Sequence, residues 1–422
     1  MINICICANL SLEEPSGGID RILNLAKNVS THEVNVYLVA RSRLKSPFSI
    51  LLDNGTYYQI ENGIAKERPY PLRIRLFFPG VTKLLQEILD RMVRILTYSF
   101  SSDVGLSYVI DPYLFIKLLF VCKKERIDLV QFEFPAPSIS SFLVKRLLRI
   151  PLVYDAHNIE TERIRSMGNA SGVYLTITKL VEHVSCKISD LIFAVSERDK
   201  EQFVSWGVPE HEVEVIPNSV DVSRFSSGLG NNEIRNEYHL ENKVVLLFHG
   251  PLDYPPNREA AEILANILLP QILRKHSNVH LLLIGRNSPI ASGPNITVTG
   301  FVRNLPDYIA AADIAVVPVL KGGGTRIKIL EYMACGKAVV STIKGAEGLN
   351  LQNGRDILMT KYPDSKFINL VLKLIEDRDL RKNIGTNAKR KVESFYDWKE
   401  TAKRAVQNYD QLIRAYEKKP KN

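Results

Sequence analysis

The chain has 422 residues, is 45% hydrophobic and 24% charged, and carries a formal net charge of +9. That length exceeds one ordinary core and predicts two domains, while the balanced composition excludes fibrous, low-complexity and disordered classes. Five scattered cysteines show no metal-ligand spacing, and their odd count points to a reducing compartment.

No basic leader stands before the apolar start of the chain, so no secretory signal is expected. Ile2–Ala8 reads as a strand. A loop holding Gly17 and Gly18 follows, then a helix over Ile19–Val29 and a strand over Val34–Val39. Between Arg41 and Phe120 the pattern is less regular. Arg73–Phe100 has apolar residues at helical spacing with interleaved Arg and Lys, which suits either packing on its own core or lying on a membrane. The apolar run Tyr113–Cys122 contains Lys117 and is too short to span a bilayer. Leu129–Glu133 is strand-like, and Pro135 and Pro137 mark a turn. A helix over Ser141–Arg149 and strands at Pro151–Tyr154, Asp190–Val195 and Val213–Ile216 come next. The Ser/Gly-rich stretch Ser223–Asn232 reads as a linker. Beyond it the alternation restarts, with strands at Val244–Phe248, Val279–Ile284, Ile296–Val298, Ile314–Val319 and Ala338–Ser341. Helices are expected over Asn257–Leu268 and Leu305–Ala312. An amphipathic helix, Trp398–Glu417, closes the chain.

Two α/β domains follow from this order, 1–225 and 226–397, with the terminal segment 398–422 returning to complete the first. The expected fold is two doubly wound, Rossmann-like domains facing across a cleft. Charge is uneven: residues 1–230 hold 26 basic and 26 acidic side chains, whereas residues 231–422 hold 29 and 20. No aromatic-rich basic motif supports nucleic acid, so two readings of that excess stay open: an anionic membrane surface or anionic sugar as partner, or simply a solvated terminal helix.

The densest signal is Gly322-Gly323-Gly324-Thr325-Arg326, opening a helix that also carries Lys328 and Glu331. It follows a strand, so the loop belongs at the carboxyl end of a parallel sheet, where such folds bind ligands. Bare amides of Gly323 and Gly324, the positive helix end, Arg326 and Lys328 suit phosphate, with Thr325 capping the helix. A cation in a first turn opposes the helix dipole by roughly 0.3–1 kcal/mol unless an anion sits there. Glu331 suits a sugar or ribose hydroxyl, although a surface ion pair with Lys328 is the plainer reading of that spacing. The segment therefore points to a nucleotide sugar. Asp155-Ala156-His157-Asn158 directly follows a strand and places His157 near a sheet edge. Gly17 and Gly18 become informative only as a second loop of the same kind. Dinucleotide and P-loop glycine patterns are absent.

Together these segments resemble the retaining, nucleotide-sugar-dependent glycosyltransferases of family four, which have the type B fold. The matching residues are Ser16-Gly17-Gly18, Tyr154 to Asn158, Ile216 to Asp221, His249 to Asn257, Leu283-Ile284-Gly285, Gly300-Phe301-Val302 and Gly322 to Gly348. The resemblance implies a carboxy-terminal domain that binds a nucleoside diphosphate sugar and an amino-terminal domain that binds a glycan or glycolipid acceptor. Glu331 would hold the ribose hydroxyls, His157 would lie near the reacting sugar, and Gly17, Gly18 and Gly250 would approach the substrates. Two positions depart from the pattern. Gly323 stands where a first glutamate is usual, and Pro251 and Asn257 replace the Arg and Lys that clasp the diphosphate. Arg326 and Lys328 are expected to take over that charge.

The implied chemistry is glycosyl transfer to a hydroxyl with retention by front-face attack, needing neither metal nor other cofactor, in cell-surface polysaccharide, lipopolysaccharide or glycolipid synthesis. The implied location is the cytoplasm, at the inner face of the membrane. Two alternatives stay open here: a nonhydrolysing nucleotide-sugar epimerase, and a non-catalytic sugar- or nucleotide-binding partner of a glycan-assembly complex.

Overall fold

A computed structural model of the chain describes residues 2–8, 17–40, 56–69, 112–167, 172–226 and 231–418. The amphipathic stretch Arg73–Phe100 lies outside them. Two compact units are present, one formed by Met1–Ile216 with Ala402–Asn422, the other by Pro217–Thr401.

The first unit contains an eight-stranded sheet of β1 (Ile2–Ala8), β2 (Val34–Ala40), β3 (Thr56–Glu61), β4 (Ile64–Pro69), β5 (Leu129–Glu133), β6 (Leu152–Ala156), β7 (Leu191–Ala194) and β8 (Val213–Val215). Their order is β4-β3-β2-β1-β5-β6-β7-β8. All pairs are parallel except β2–β3 and β3–β4. Strand order reverses between β1 and β5, the position at which such sheets open a crevice at their carboxyl ends. The β3–β4 hairpin turns on Asn62 and Gly63, both with positive φ (49° and 76°), as a two-residue hairpin turn requires. The helix Gly17–Val29 buries Ile19, Ile22, Leu25, Ala26 and Val29, an inward stripe at three- and four-residue spacing. It starts at Gly17, so the two glycines form its first turn rather than the loop before it.

The second unit is a parallel six-stranded sheet of β9 (Val244–His249), β10 (Val279–Ile284), β11 (Ile296–Val298), β12 (Ile314–Val317), β13 (Ala338–Thr342) and β14 (Leu358–Thr360), in the order β11-β10-β9-β12-β13-β14. β10, β12 and β13 are buried throughout, which explains their largely apolar sequences. The order reverses between β9 and β12. Pro270 has no N–H to donate, and the helical run from Pro255 to Leu273 passes through a π-turn, Leu264–Leu268, just before it.

The boundary between units falls after Ile216, not at residue 225. Val220, Val222 and Phe225 pack into the second core, and the Val220 N–H donates to the Tyr396 carbonyl at 2.8 Å. Within the expected linker, Val222–Ser226 is helical. The terminal helix Trp398–Glu417 forms where its pattern predicts, but its first turn through Thr401 belongs to the second unit. Cys5, Cys7, Cys122 and Cys186 are buried core residues, and none of the five cysteines forms a disulfide. Among the described residues no helix is long and apolar enough to cross a membrane.

Candidate functional site

In the second unit the candidate residues gather where β9 and β12 end side by side. Gly250 follows β9 with φ 142°, a conformation only glycine takes without strain. A Cβ there would lie 2.8 Å from Asn257 Nδ2 and 2.9 Å from Lys328 Nζ. The helix Ile327–Ala334 carries Lys328 and Glu331 back towards that loop. Lys328 Nζ donates to Asn257 Oδ1 at 2.8 Å and sits 4.1 Å above the centre of the Phe248 ring. Burial, and next the Arg326 charge, push its ammonium down to about 7, against a smaller upward pull from Glu331. The residue as a whole is half-buried.

Arg326 behaves differently from expectation. It occupies the N-cap position, with no side-chain cap, and its guanidinium turns back onto its own loop. It donates to the carbonyls of Gly323 and Gly324 at 2.6 Å each and of Lys321 at 3.0 Å. Thr325 is not the cap; its hydroxyl accepts from Asn218 Nδ2 at 2.7 Å. Gly322 and Gly324 have φ of 102° and 68°, so two of the three glycines are required by the backbone path itself. With its carbonyls held by Arg326, the loop leaves the N–H groups of Gly323, Gly324 and Thr325 without a described acceptor.

Glu331 pairs with His249 rather than with Lys328. His249 Nε2 lies 2.8 Å from Glu331 Oε2, and the His249 N–H donates to the Tyr332 hydroxyl. His249 Nδ1 is buried and has no partner among the described residues. One carboxylate oxygen is thus fixed by an imidazole at the end of β9.

In the first unit the carboxyl ends of β5 and β6 carry a buried polar chain. Glu133 and Asp155 are register partners on adjacent strands. Arg21, 1% exposed, makes a two-armed ion pair with Asp155, its Nη2 at 2.7 Å and Nε at 3.1 Å, and also donates to the Ile216 carbonyl at 2.9 Å. Gln131 donates to Glu133 at 2.6 Å and accepts from the Tyr409 hydroxyl of the terminal helix. Glu133 Oε2 lies 2.6 Å from His157 Nε2. Burial drives both groups towards neutrality, lifting Glu133 to about 7 and lowering His157 to about 4. The Phe134 ring packs on His157 with centroids 3.9 Å apart. Gly18 faces both: a Cβ there would meet Phe134 Cζ at 2.7 Å and His157 Nδ1 at 3.3 Å. Around Gly17, by contrast, such an atom would meet nothing within 4 Å.

Glu133, Asp155 and His157 offer ligand atoms within 4.8 Å of one another. Arg21 already occupies Asp155, so a divalent cation would enter a site that carries a positive charge. Sequence reasoning placed His157 and Gly18 but missed Glu133, Gln131, Arg21, Tyr409 and the Glu331 partner His249. The alternation Gln131-Phe132-Glu133 at the end of a buried strand was the available signal, since polar residues there need buried partners.

Comparison with known proteins covers both units. Residues 73–224 match the Glycosyltransferase Family 4 profile, and residues 243–377 match that of Glycosyl transferases group 1. An uncharacterized glycosyltransferase of Methanocaldococcus jannaschii, MJ1069, is 26% identical over 250 residues, 56% of this chain and 62% of that protein. The chain therefore spans less than two thirds of that relative. The Escherichia coli UDP-Gal:alpha-D-GlcNAc-diphosphoundecaprenol alpha-1,3-galactosyltransferase is 24% identical over 65% of this chain and 73% of its own length. Among solved structures, Anabaena Alr3699/HepE in complex with UDP is similar with a TM-score of 0.66 at 18% identity, covering 97% of this chain and all of that one. That likeness shows the GT-B fold, and the two profiles follow one another along it. The chain belongs to the family 4, group 1 glycosyltransferases.

Proposed function

We propose that the protein transfers a sugar from a nucleoside diphosphate sugar to an acceptor hydroxyl with retention of anomeric configuration, in the assembly of a polysaccharide or glycolipid. The observation that carries this reading is the Lys328 amine, held by Asn257 beside Gly250 with no carboxylate in contact among the described residues. Family members usually place cations on the Gly250 loop; here Lys328 reaches that loop from the neighbouring helix. An arriving diphosphate completes the charge that burial otherwise suppresses.

In this reading the free amides of Gly323, Gly324 and Thr325 receive phosphate or donor-sugar oxygens, and Glu331 accepts from the ribose hydroxyls. Arg326 orders the loop while adding its charge. His157 faces the reacting sugar, and Gly17 and Gly18 give it room. Within the first unit Asp155 is tied to Arg21 and Glu133 to His157; front-face displacement, with the departing phosphate taking the acceptor proton, needs no protein nucleophile. It also needs no metal ion. The bound UDP of Alr3699/HepE and the lipid-linked substrate named for the E. coli relative support the donor and acceptor classes. A lipid-linked acceptor would bring the protein to the cytoplasmic face of an anionic membrane.

A thermal-shift panel of UDP, ADP, GDP and their sugar conjugates tests the assignment, because a bound ligand stabilises by mass action. A shift with one nucleotide family, lost in Lys328→Met, is expected. No shift across the panel would refute donor binding, and conversion of donor to an epimer without acceptor would replace transfer by epimerisation. Flotation with anionic vesicles at low salt tests the membrane assignment; absence from the lipid fraction would remove it.

A further inference from the structure

His157 is 7% exposed, and its two ring nitrogens have unequal surroundings. Nε2 is held by Glu133, whereas Nδ1 is buried without a partner among the described residues and lies beside Gly18. A buried imidazole nitrogen with no hydrogen bond is costly unless a ligand satisfies it. The ring cannot rotate to relieve this, because Phe134 packs on its face and Glu133 fixes its far edge. Glu133 is in turn fixed by Gln131, and Gln131 by the Tyr409 hydroxyl.

We propose that Glu133 is a positioning residue for His157, orienting the imidazole through Nε2 and setting which tautomer it presents at Nδ1 to a sugar hydroxyl beside Gly18. The hydroxyl as ligand rests on the transferase reading; the tautomer control does not. The proton count is simple. With Glu133 neutral, its O–H donates to Nε2, the ring proton resides on Nδ1, and Nδ1 is a donor. When Glu133 loses its proton, Nε2–H donates to the carboxylate, and Nδ1 becomes an acceptor. One proton leaves the pair, and the imidazole stays neutral in both states.

Other charges facing the pair are Arg21 from the first helix, Asp155 at the end of β6 and Glu160 from the following helix, with the Tyr409 phenol on the terminal helix. Arg21 lowers both groups; Asp155 and Glu160 raise His157. Burial outweighs them in each case, so Glu133 titrates near 7 while His157 remains neutral down to about 4. The inversion of tautomer therefore falls near neutral pH, where small changes in the surroundings move it.

Nitrogen-15 NMR of the full chain labelled at histidine tests this without substrate, so its failure leaves the transferase reading standing. The His157 signals are identified by their loss in His157→Gln. Between pH 5 and pH 9 the two ring-nitrogen shifts should exchange places as the proton moves from Nδ1 to Nε2. In Glu133→Gln the same signals should be independent of pH. Unchanged tautomer populations in the wild type, an imidazolium titrating in the ordinary histidine range, or an unaltered transition in Glu133→Gln would each overturn the proposal. Should Glu133→Gln fail to fold, the wild-type titration decides alone.

Discussion

Binding of UDP should draw a proton onto Lys328. In the free protein the amine sits over Phe248 and against Asn257, and burial holds it at about 7. At pH 8 about one molecule in ten then carries the charge, and a bound diphosphate, fully ionised there, favours the protonated form. Uptake should approach one proton per UDP, about 0.9 at pH 8 by linkage. Affinity should fall about 50-fold between pH 7 and pH 9, close to the limit of tenfold, or 1.36 kcal/mol, per pH unit. Titration calorimetry in HEPES and in Tris reads the uptake directly, because the apparent enthalpy changes with the ionisation heat of the buffer. Lys328→Met should bind more weakly at pH 7 and show no buffer dependence. The free protein's stability has the opposite sign. A folded amine near 7 against an unfolded one near 10.4 means the unfolded chain holds more protons, so stability rises from pH 7 towards pH 10. Equal heats in both buffers, with a dissociation constant flat from pH 7 to pH 9, would refute the buried-amine argument.

Three further substitutions probe the remaining contacts. Gly18→Ala places a methyl 2.7 Å from Phe134 Cζ and 3.3 Å from His157 Nδ1, so turnover should drop by more than about tenfold. Alanine also gains about 1 kcal/mol of helix propensity over glycine, so Tm should hold within a few degrees; unchanged turnover would remove Gly18 from the site. Glu331→Ala should weaken UDP by roughly tenfold to a hundredfold, the worth of a charge-assisted hydrogen bond at about 1.5–3 kcal/mol. It should leave 2′,3′-dideoxy-UDP binding unchanged, and equal losses on both ligands would contradict a ribose contact. Arg326→Ala frees the carbonyls of Lys321, Gly323 and Gly324, so tryptic cleavage after Lys321 should speed up by more than about tenfold even without ligand. Cleavage as slow as in the wild type would assign Arg326 to the ligand rather than to the loop.

Much of the architecture was legible because local pattern and chain order carry it. Buried parallel strands write themselves as largely apolar runs, so β10 appears at its predicted bounds, and so do the half-buried edge strand β11 and the terminal helix with its single apolar face. The hairpin β3–β4 is also written in the sequence, in Asn62-Gly63 between strand-forming residues, but charged residues break up the alternation of its second strand. The unit boundary was misplaced for a different reason. Ser/Gly richness marks an irregular chain but does not say which core the preceding residues enter, and Val220, Val222 and Phe225 enter the second.

Sequence alone determined the two α/β units, the glycine loop before the helix of Lys328 and Glu331, and the family resemblance. Each is a matter of near neighbours or of order along the chain. Tertiary structure decided the partners: Lys328 with Asn257, Glu331 with His249, Glu133 with His157, and Arg21 with Asp155. Those pairs join residues from different strands and helices, where register and helix rotation set which side chains meet. Arg326 shows the limit most plainly. Its position beside three glycines suggested a free cation awaiting phosphate, but unsatisfied carbonyls of its own loop lay closer, and they claimed the guanidinium first.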